Sequence, residues 1–208
     1  MGVQGVANVE CPACGRAQDV TLVQSINTRT DAEAKAKLLA GQLNVLACAC
    51  GRITQLAANM LFHDPDADYY ARVCPGGDAQ IAEAASLFRA SGAIGRQRVV
   101  PTPNALVEKV KILDAGLEDW AIEMLKVLLL ATVGDLDRVF LFDRIDRAAG
   151  LVHWVLFDEG ARSARTLESP LAGYDRLVAT AKPPRSAEVQ IDRAWAVAAA
   201  QALIAGAN

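Results

Sequence analysis

The sequence predicts an α+β protein: a cysteine-bearing, zinc-ribbon-like module with an inserted helix, then a helical segment and an antiparallel β-meander with terminal helices. Three observations carry this expectation. CPACG at 11–15 is answered by ACACG at 47–51, and short strand-like stretches flank both pairs. Leu117, Trp120, Met124, Val127, Leu128 and Ala131 recur at intervals of three and four, the stripe of a buried helix. RVFLFDRID and LVHWVLFDE then flank RAAG as the arms of a hairpin.

Taken in order, Val6–Glu10 and Asp19–Asn27 read as strands around the first cysteine pair, the second with a period near two. TRTDAEAKAKLLAG reads as the inserted helix, capped by Thr30 or Asp31 and stopped by Gly41. Asn44–Ala47 and Arg52–Leu56 are expected as strands around the second pair, with further short strands between Leu61 and Cys74. CPGGD breaks the chain before a helix over AQIAEAASLFRASG. GRQRVVPTP, with two prolines, reads as a connector, and it divides the chain into a cysteine-bearing module at 1–97 and a helical and meander portion at 98–208. NALVEKVKILDAG and LEDWAIEMLKVLLLATVG read as consecutive helices. Glu118, Asp119 and Glu123 lie in the first turns of the second, where carboxylates suit the helix dipole. SARTLES adds a third strand to the hairpin, and LAGYDRLVATA and DRAWAVAAAQALIAG are terminal helices.

The chain has 208 residues, of which 52% are apolar, enough for a substantial core. Its formal net charge is −3. Residues 1–64 balance Arg16, Arg29, Lys35, Lys37 and Arg52 against Glu10, Asp19, Asp31, Glu33 and Asp64. Nucleic-acid binding needs a basic excess or a basic face, so it is not favoured by charge. The start MGVQGVANVE lacks the basic and apolar regions of a signal peptide. The apolar stretch Val127–Val133 is far short of the roughly 20 residues that cross a bilayer. A cytoplasmic protein with no membrane partner is expected, and an odd count of five cysteines argues against a disulfide framework.

Cys11 and Cys14 are separated by two residues, Cys48 and Cys50 by one, and thirty-three residues lie between the pairs. A thiolate knuckle places two sulfurs on one tight turn. Pro12 pre-sets such a turn, and Gly15 and Gly51 can adopt the positive φ it demands. Four thiolates make a closed tetrahedral site, expected to hold Zn2+ as a structural ion with no position open to water. A redox CxxC would open a helix after a strand, whereas the residues after Cys14 and Cys50 read as strands. An iron–sulfur cluster draws on the same four ligands, and composition does not separate the two.

CPACG, GQLNVLACACG, LFHD and ALVEKVKILDAGLEDWAIEMLK together resemble the CpXC family of prokaryotic proteins, which is named for its paired-cysteine motifs. The resemblance covers approximately residues 9–130. It implies that Cys11, Cys14, Cys48 and Cys50 bind zinc, and it implies no activity. This chain departs from the family pattern at ACACG, where the spacing is one residue shorter, so a second knuckle that is strained or closed differently is expected.

Other residues invite functional readings. Cys74 reads as a small buried or incidental cysteine, with a substitute ligand or a redox thiol beside the metal as the alternatives. HDPDAD at 63–68 begins like a calcium loop but has Tyr69 and Pro75 where that loop needs Gly and Glu. It reads as a turn, with His63 or Asp64 supporting the metal from outside as the alternative. His153, between Val152 and Trp154, reads as a sheet-face residue. No catalytic constellation is recognisable, and the expected function is a zinc-stabilised, non-enzymatic interaction module that binds a protein partner or itself. The alternatives are a nucleic-acid-binding zinc ribbon and a metal-dependent enzyme built on the His63–Asp68 cluster. Charge balance predicts weak, non-specific nucleic-acid affinity at physiological salt. A salt titration of DNA and RNA binding checks this, and sub-micromolar affinity with a steep salt slope would promote the nucleic-acid reading.

Overall fold

The computed structural model describes residues 2–92, 95–158 and 163–206. It is a mixed α+β structure with six helices and four sheets among the described residues. By contacts the chain falls into two compact units, Met1–Val107 and Glu108–Asn208.

In the first unit, β1 (Gln4–Glu10) and β2 (Ala17–Val23) form an antiparallel hairpin in which Glu10 faces Ala17. After β3 (Ser25–Asn27) comes α1 (Ala32–Leu39), which buries Leu38 and is followed by Gly41. β4 (Val45–Ala47) and β5 (Ile53–Gln55) form a second small hairpin. β6 (Met60–Asp64) and β7 (Tyr69–Val73) then pair antiparallel, with turn residues between them. β3 pairs with β6 in parallel, which requires a crossover between them. That crossover carries α1 and the second hairpin.

α2 (Asp78–Ala90) leads to β8 (Arg96–Val100), which joins β7 in parallel and completes a sheet in the order β3-β6-β7-β8. The expectation of an irregular connector over GRQRVVPTP is therefore corrected. Val99 and Val100 are buried β-branched residues, and the breaking signal of Pro101 and Pro103 acts after the strand rather than across it. Alternation is clear in β6 and β7: Met60, Phe62, Tyr69, Ala71 and Val73 are buried, while Leu61 and Arg72 face the other side.

α3 (Pro103–Asp114) passes into the second unit, where α4 (Asp119–Thr132) is buried on nearly every side. β9 (Val139–Asp146), β10 (Leu151–Asp158) and β11 (Ser163–Pro170) form the expected antiparallel meander. Glu159, the last residue of the expected second arm, lies outside the described residues. α5 (Leu171–Thr180) and α6 (Arg193–Gly206) close the chain. The core packs Trp120, Met124 and Leu125 of α4 with Phe140, Phe142 and Trp154 of the sheet. Trp154 is fully buried, and its indole N–H donates to Ser169 Oγ at 2.9 Å.

This core also contains charge. Lys126 Nζ lies 3.0 Å from Glu108 Oε1 and 3.1 Å from Glu123 Oε2. Lys109 Nζ lies 3.1 Å from both Asp119 Oδ2 and Glu123 Oε1, and donates to Ile191 O at 2.9 Å. All five side chains are buried. Glu108 also accepts the Phe142 N–H at 2.6 Å, which occupies a backbone donor of β9, an edge strand of the meander. Asp119 and Glu123 were expected to serve the helix dipole. They are instead partners in a buried network that links α3 and α4.

Candidate metal centre

The two hairpins deliver the cysteines. β1 runs directly into Cys11, and β4 ends one residue before Cys48. In the first turn Gly15 N–H donates to Cys11 O, and Cys11 N–H donates to Arg16 O, each at 2.9 Å. In the second, Gly51 N–H donates to Cys48 O, and Cys48 N–H to Arg52 O, again at 2.9 Å. The carbonyl-to-amide closure therefore spans four positions in CPACG and three in ACACG. The missing residue is absorbed inside the second turn, and the flanking strands rejoin in the same way. Gly15 and Gly51 have φ of 70° and 86°, the left-handed conformation that side-chain-bearing residues rarely adopt. A methyl group at either would meet nothing within 4 Å, so the requirement for glycine is conformational rather than steric.

Asn44 holds the hairpins together. Its Oδ1 accepts the Val23 N–H at 2.7 Å, and its Nδ2 donates to Val23 O at 3.0 Å. Its own carbonyl accepts the Leu56 N–H at 2.8 Å. The sequence reading missed this residue, although an asparagine that can take positive φ just before a strand was a visible signal; its φ is 53°.

The result brings all four expected cysteines together. Cys11 and Cys50 sulfurs lie 3.7 Å apart, and Cys14 and Cys48 sulfurs 3.6 Å. All four Sγ atoms lie within 4.8 Å of one another. Cys11 and Cys48 are buried against Leu46, Val9, Val20 and Leu56, while Cys14 and Cys50 are exposed. The Ala13 N–H lowers the Cys11 thiol to about 6, with the Cys14 N–H acting in the same direction against the opposing effect of burial. For Cys48 the Cys50 N–H acts downward, but burial and the neighbouring sulfurs outweigh it and raise the thiol to about 11. One thiolate forms readily here; four at this spacing repel one another unless a cation offsets them.

The remaining candidates fall elsewhere. Among the described residues, this cysteine set is the one group of His, Cys, Asp and Glu close enough to share an ion. Cys74 is fully buried, its N–H bonded to Val100 O, and burial pushes its thiol up. His63 stacks on Tyr70 with ring centroids 4.1 Å apart. Asp64 lies 3.6 Å from Lys35, and Asp66 forms a 2.6 Å pair with Arg29. HDPDAD is thus a hairpin turn tied down by basic residues, and its carboxylates do not converge on a cation position. His153 lies on the sheet as expected, with Nδ1 3.3 Å from Glu168 Oε1.

No helix among the described residues is long and apolar enough to cross a membrane. The family model described as CpXC protein matches residues 9–126, more than half of the chain and both cysteine pairs. No curated protein matches, and no solved structure matches.

Proposed function

The chain belongs to the CpXC family, and on that premise we propose that Cys11, Cys14, Cys48 and Cys50 hold one structural Zn2+ in a zinc-ribbon-like, non-enzymatic interaction module. The module binds a protein partner or a second copy of the chain. The observation that carries the reading is the sulfur spacing. Zn–S bonds of about 2.3 Å in a tetrahedron set the sulfur–sulfur edges at about 3.8 Å. The 3.7 and 3.6 Å contacts fit that edge. An iron–sulfur cluster divides its four thiolates among two or four irons bridged by sulfide, which calls for a wider overall spread than 4.8 Å. With all four positions taken by thiolate, the ion has no site for water or substrate, so it supplies stability rather than Lewis-acid chemistry. The reducing cytoplasm suits such a site, because its thiols stay available.

The engagement of the other groups supports a non-enzymatic role. His63 stacks on Tyr70 and His153 is buried beside Glu168, and among the described residues neither belongs to a cluster of ligating side chains. Of the five basic residues within 1–64, Arg29, Lys35 and Lys37 pair with Asp66, Asp64 and Glu33. That leaves Arg16 and Arg52, both exposed, a small basic surface for nucleic acid. Metal analysis tests the reading: wild type and Cys74→Ser should each carry one zinc per chain with unchanged secondary structure. Iron in the purified protein, or loss of metal in Cys74→Ser, would overturn the four-thiolate zinc assignment.

A further inference from the structure

The first unit also contains a groove that the metal site does not use. It has a volume of about 710 Å³, inside the roughly 300–1,000 Å³ range of binding clefts. Leu61 of β6 and Leu87 and Phe88 of α2 contribute to its apolar surface with Leu22 and Met60, and Arg72 of β7, the cross-strand partner of Leu61, is the sole charged residue in its lining. Among the described residues the Arg72 guanidinium makes no ion pair or hydrogen bond. Leu61 and Leu87 remain 37% and 51% exposed, large values for leucines beside a concave surface. One wall is the irregular segment Ala57–Asn59 between β5 and β6, whose backbone N–H and C=O groups are outside every sheet and form no hydrogen bond among the described residues.

We propose that this groove binds an extended peptide by its C-terminal carboxylate. The proposal rests on the interaction-module reading and names the partner's chemistry. Three features of the groove correspond to three features of such a peptide. The free backbone of Ala57–Asn59 can pair with an extended main chain, as in strand addition. Leu61, Leu87 and Phe88 take apolar side chains. The planar guanidinium of Arg72 offers a two-pronged donor to one carboxylate. A single cation in an otherwise uncharged lining matches a single anionic group with apolar neighbours. A chain terminus supplies that group with no further charge.

The test uses the full-length, metal-loaded protein and a fluorescein-labelled Ser-Gly-Leu-Ala-Val-Leu peptide, read by anisotropy. The free acid should bind saturably, and its C-terminal amide roughly tenfold more weakly, the loss expected for one charge-assisted contact. Arg72→Gln should abolish this discrimination, so that acid and amide bind alike. Leu87→Asp should weaken both. Zinc content is measured in every sample, so loss of peptide binding with metal retained counts against the groove and not against the metal site. Four results would overturn the proposal: no binding of the free acid, equal binding of acid and amide to wild type, acid selectivity retained in Arg72→Gln, or displacement by decanoate as effective as by unlabelled peptide. An amidated peptide with an internal glutamate that binds as well as the free acid would also overturn it, because the site would then recognise a side chain.

Discussion

Cys11→Ser should lose the metal and open the two cysteine hairpins to protease, while tryptophan emission stays at its wild-type position. The hairpins β1–β2 and β4–β5 have two strands each, and isolated two-stranded hairpins are marginal in water. Their shared core is small: Cys11, Leu46 and Cys48, with Val9, Val20 and Leu56 packed around them. Two members of that core, Cys11 and Cys48, are among the four proposed ligands. A structural zinc contributes an apparent ~10–16 kcal/mol in small finger peptides near neutral pH, more than such a core can supply. Chelation should act in the same direction and more readily at lower pH, because protons compete for the thiolates. Trp120, Trp154 and Trp195 all lie in Glu108–Asn208, so their emission reports on the second unit alone. Limited proteolysis with metal analysis provides the comparison. Early cleavage should fall within residues 4–56, and the protected product should retain the second unit. A variant with the wild-type cleavage pattern and thermal midpoint would show that the cysteines do not hold the fold.

The cysteine site was legible because its information is local. Each knuckle needs only a strand end, two sulfurs and a glycine, and all of these occur within CPACG and ACACG. Most elements were legible for the same reason, since periodicity in β10 or α4 lies within a single window. Less was visible where the partner is distant in sequence. β8 is a short edge strand of the sheet, paired in parallel with β7 across α2, and nothing within RQRVV announces that pairing. The one-residue difference between the knuckles was visible, but its accommodation by a tighter turn depends on hydrogen bonds that spacing alone does not specify. The charges of α3 and α4 were the least legible. Helix-surface reasoning looks three and four residues away, and at that distance onward Glu108 meets only Lys111 and Ile112. Lys109 finds Glu123 fourteen positions on, and Glu108 finds Lys126 eighteen positions on. Only packing of one helix on the other creates those pairs.

Lys126→Met should therefore be among the most damaging single changes in the second unit, although it replaces a charge with an apolar side chain of similar length. Lys126 lies 3.0 Å from Glu108 and 3.1 Å from Glu123, and all three are buried. Removing one partner from a buried pair leaves the other charge without compensation, at a typical cost of ~3–5 kcal/mol. The pH dependence has a definite sign. Burial already pushes the Glu108 carboxyl above its ordinary value, with Lys126 acting against that rise. Glu123 is held below its ordinary value: burial pushes it up, but Lys109 and Lys126 outweigh that effect. In wild type the Glu123 contribution is present above the unfolded carboxylate range and fades as pH falls through the folded value. In the variant Glu108 rises further, and a raised carboxyl favours the folded state below its unfolded value and loses that advantage as pH increases. Acidification from neutral pH thus relieves the variant through Glu108 more than wild type, while the Glu123 contribution to wild type fades only at lower pH. The stability gap should narrow between about pH 7 and about pH 5. Glu108→Gln in the Lys126→Met background should recover part of the loss at the higher pH, because the uncompensated charge is removed. Urea unfolding followed by tryptophan emission measures all of these quantities. If Lys126→Met unfolds at the wild-type midpoint at neutral pH, or if its deficit grows on acidification, the buried lysine–carboxylate network does not contribute to the stability of the second unit in the way argued.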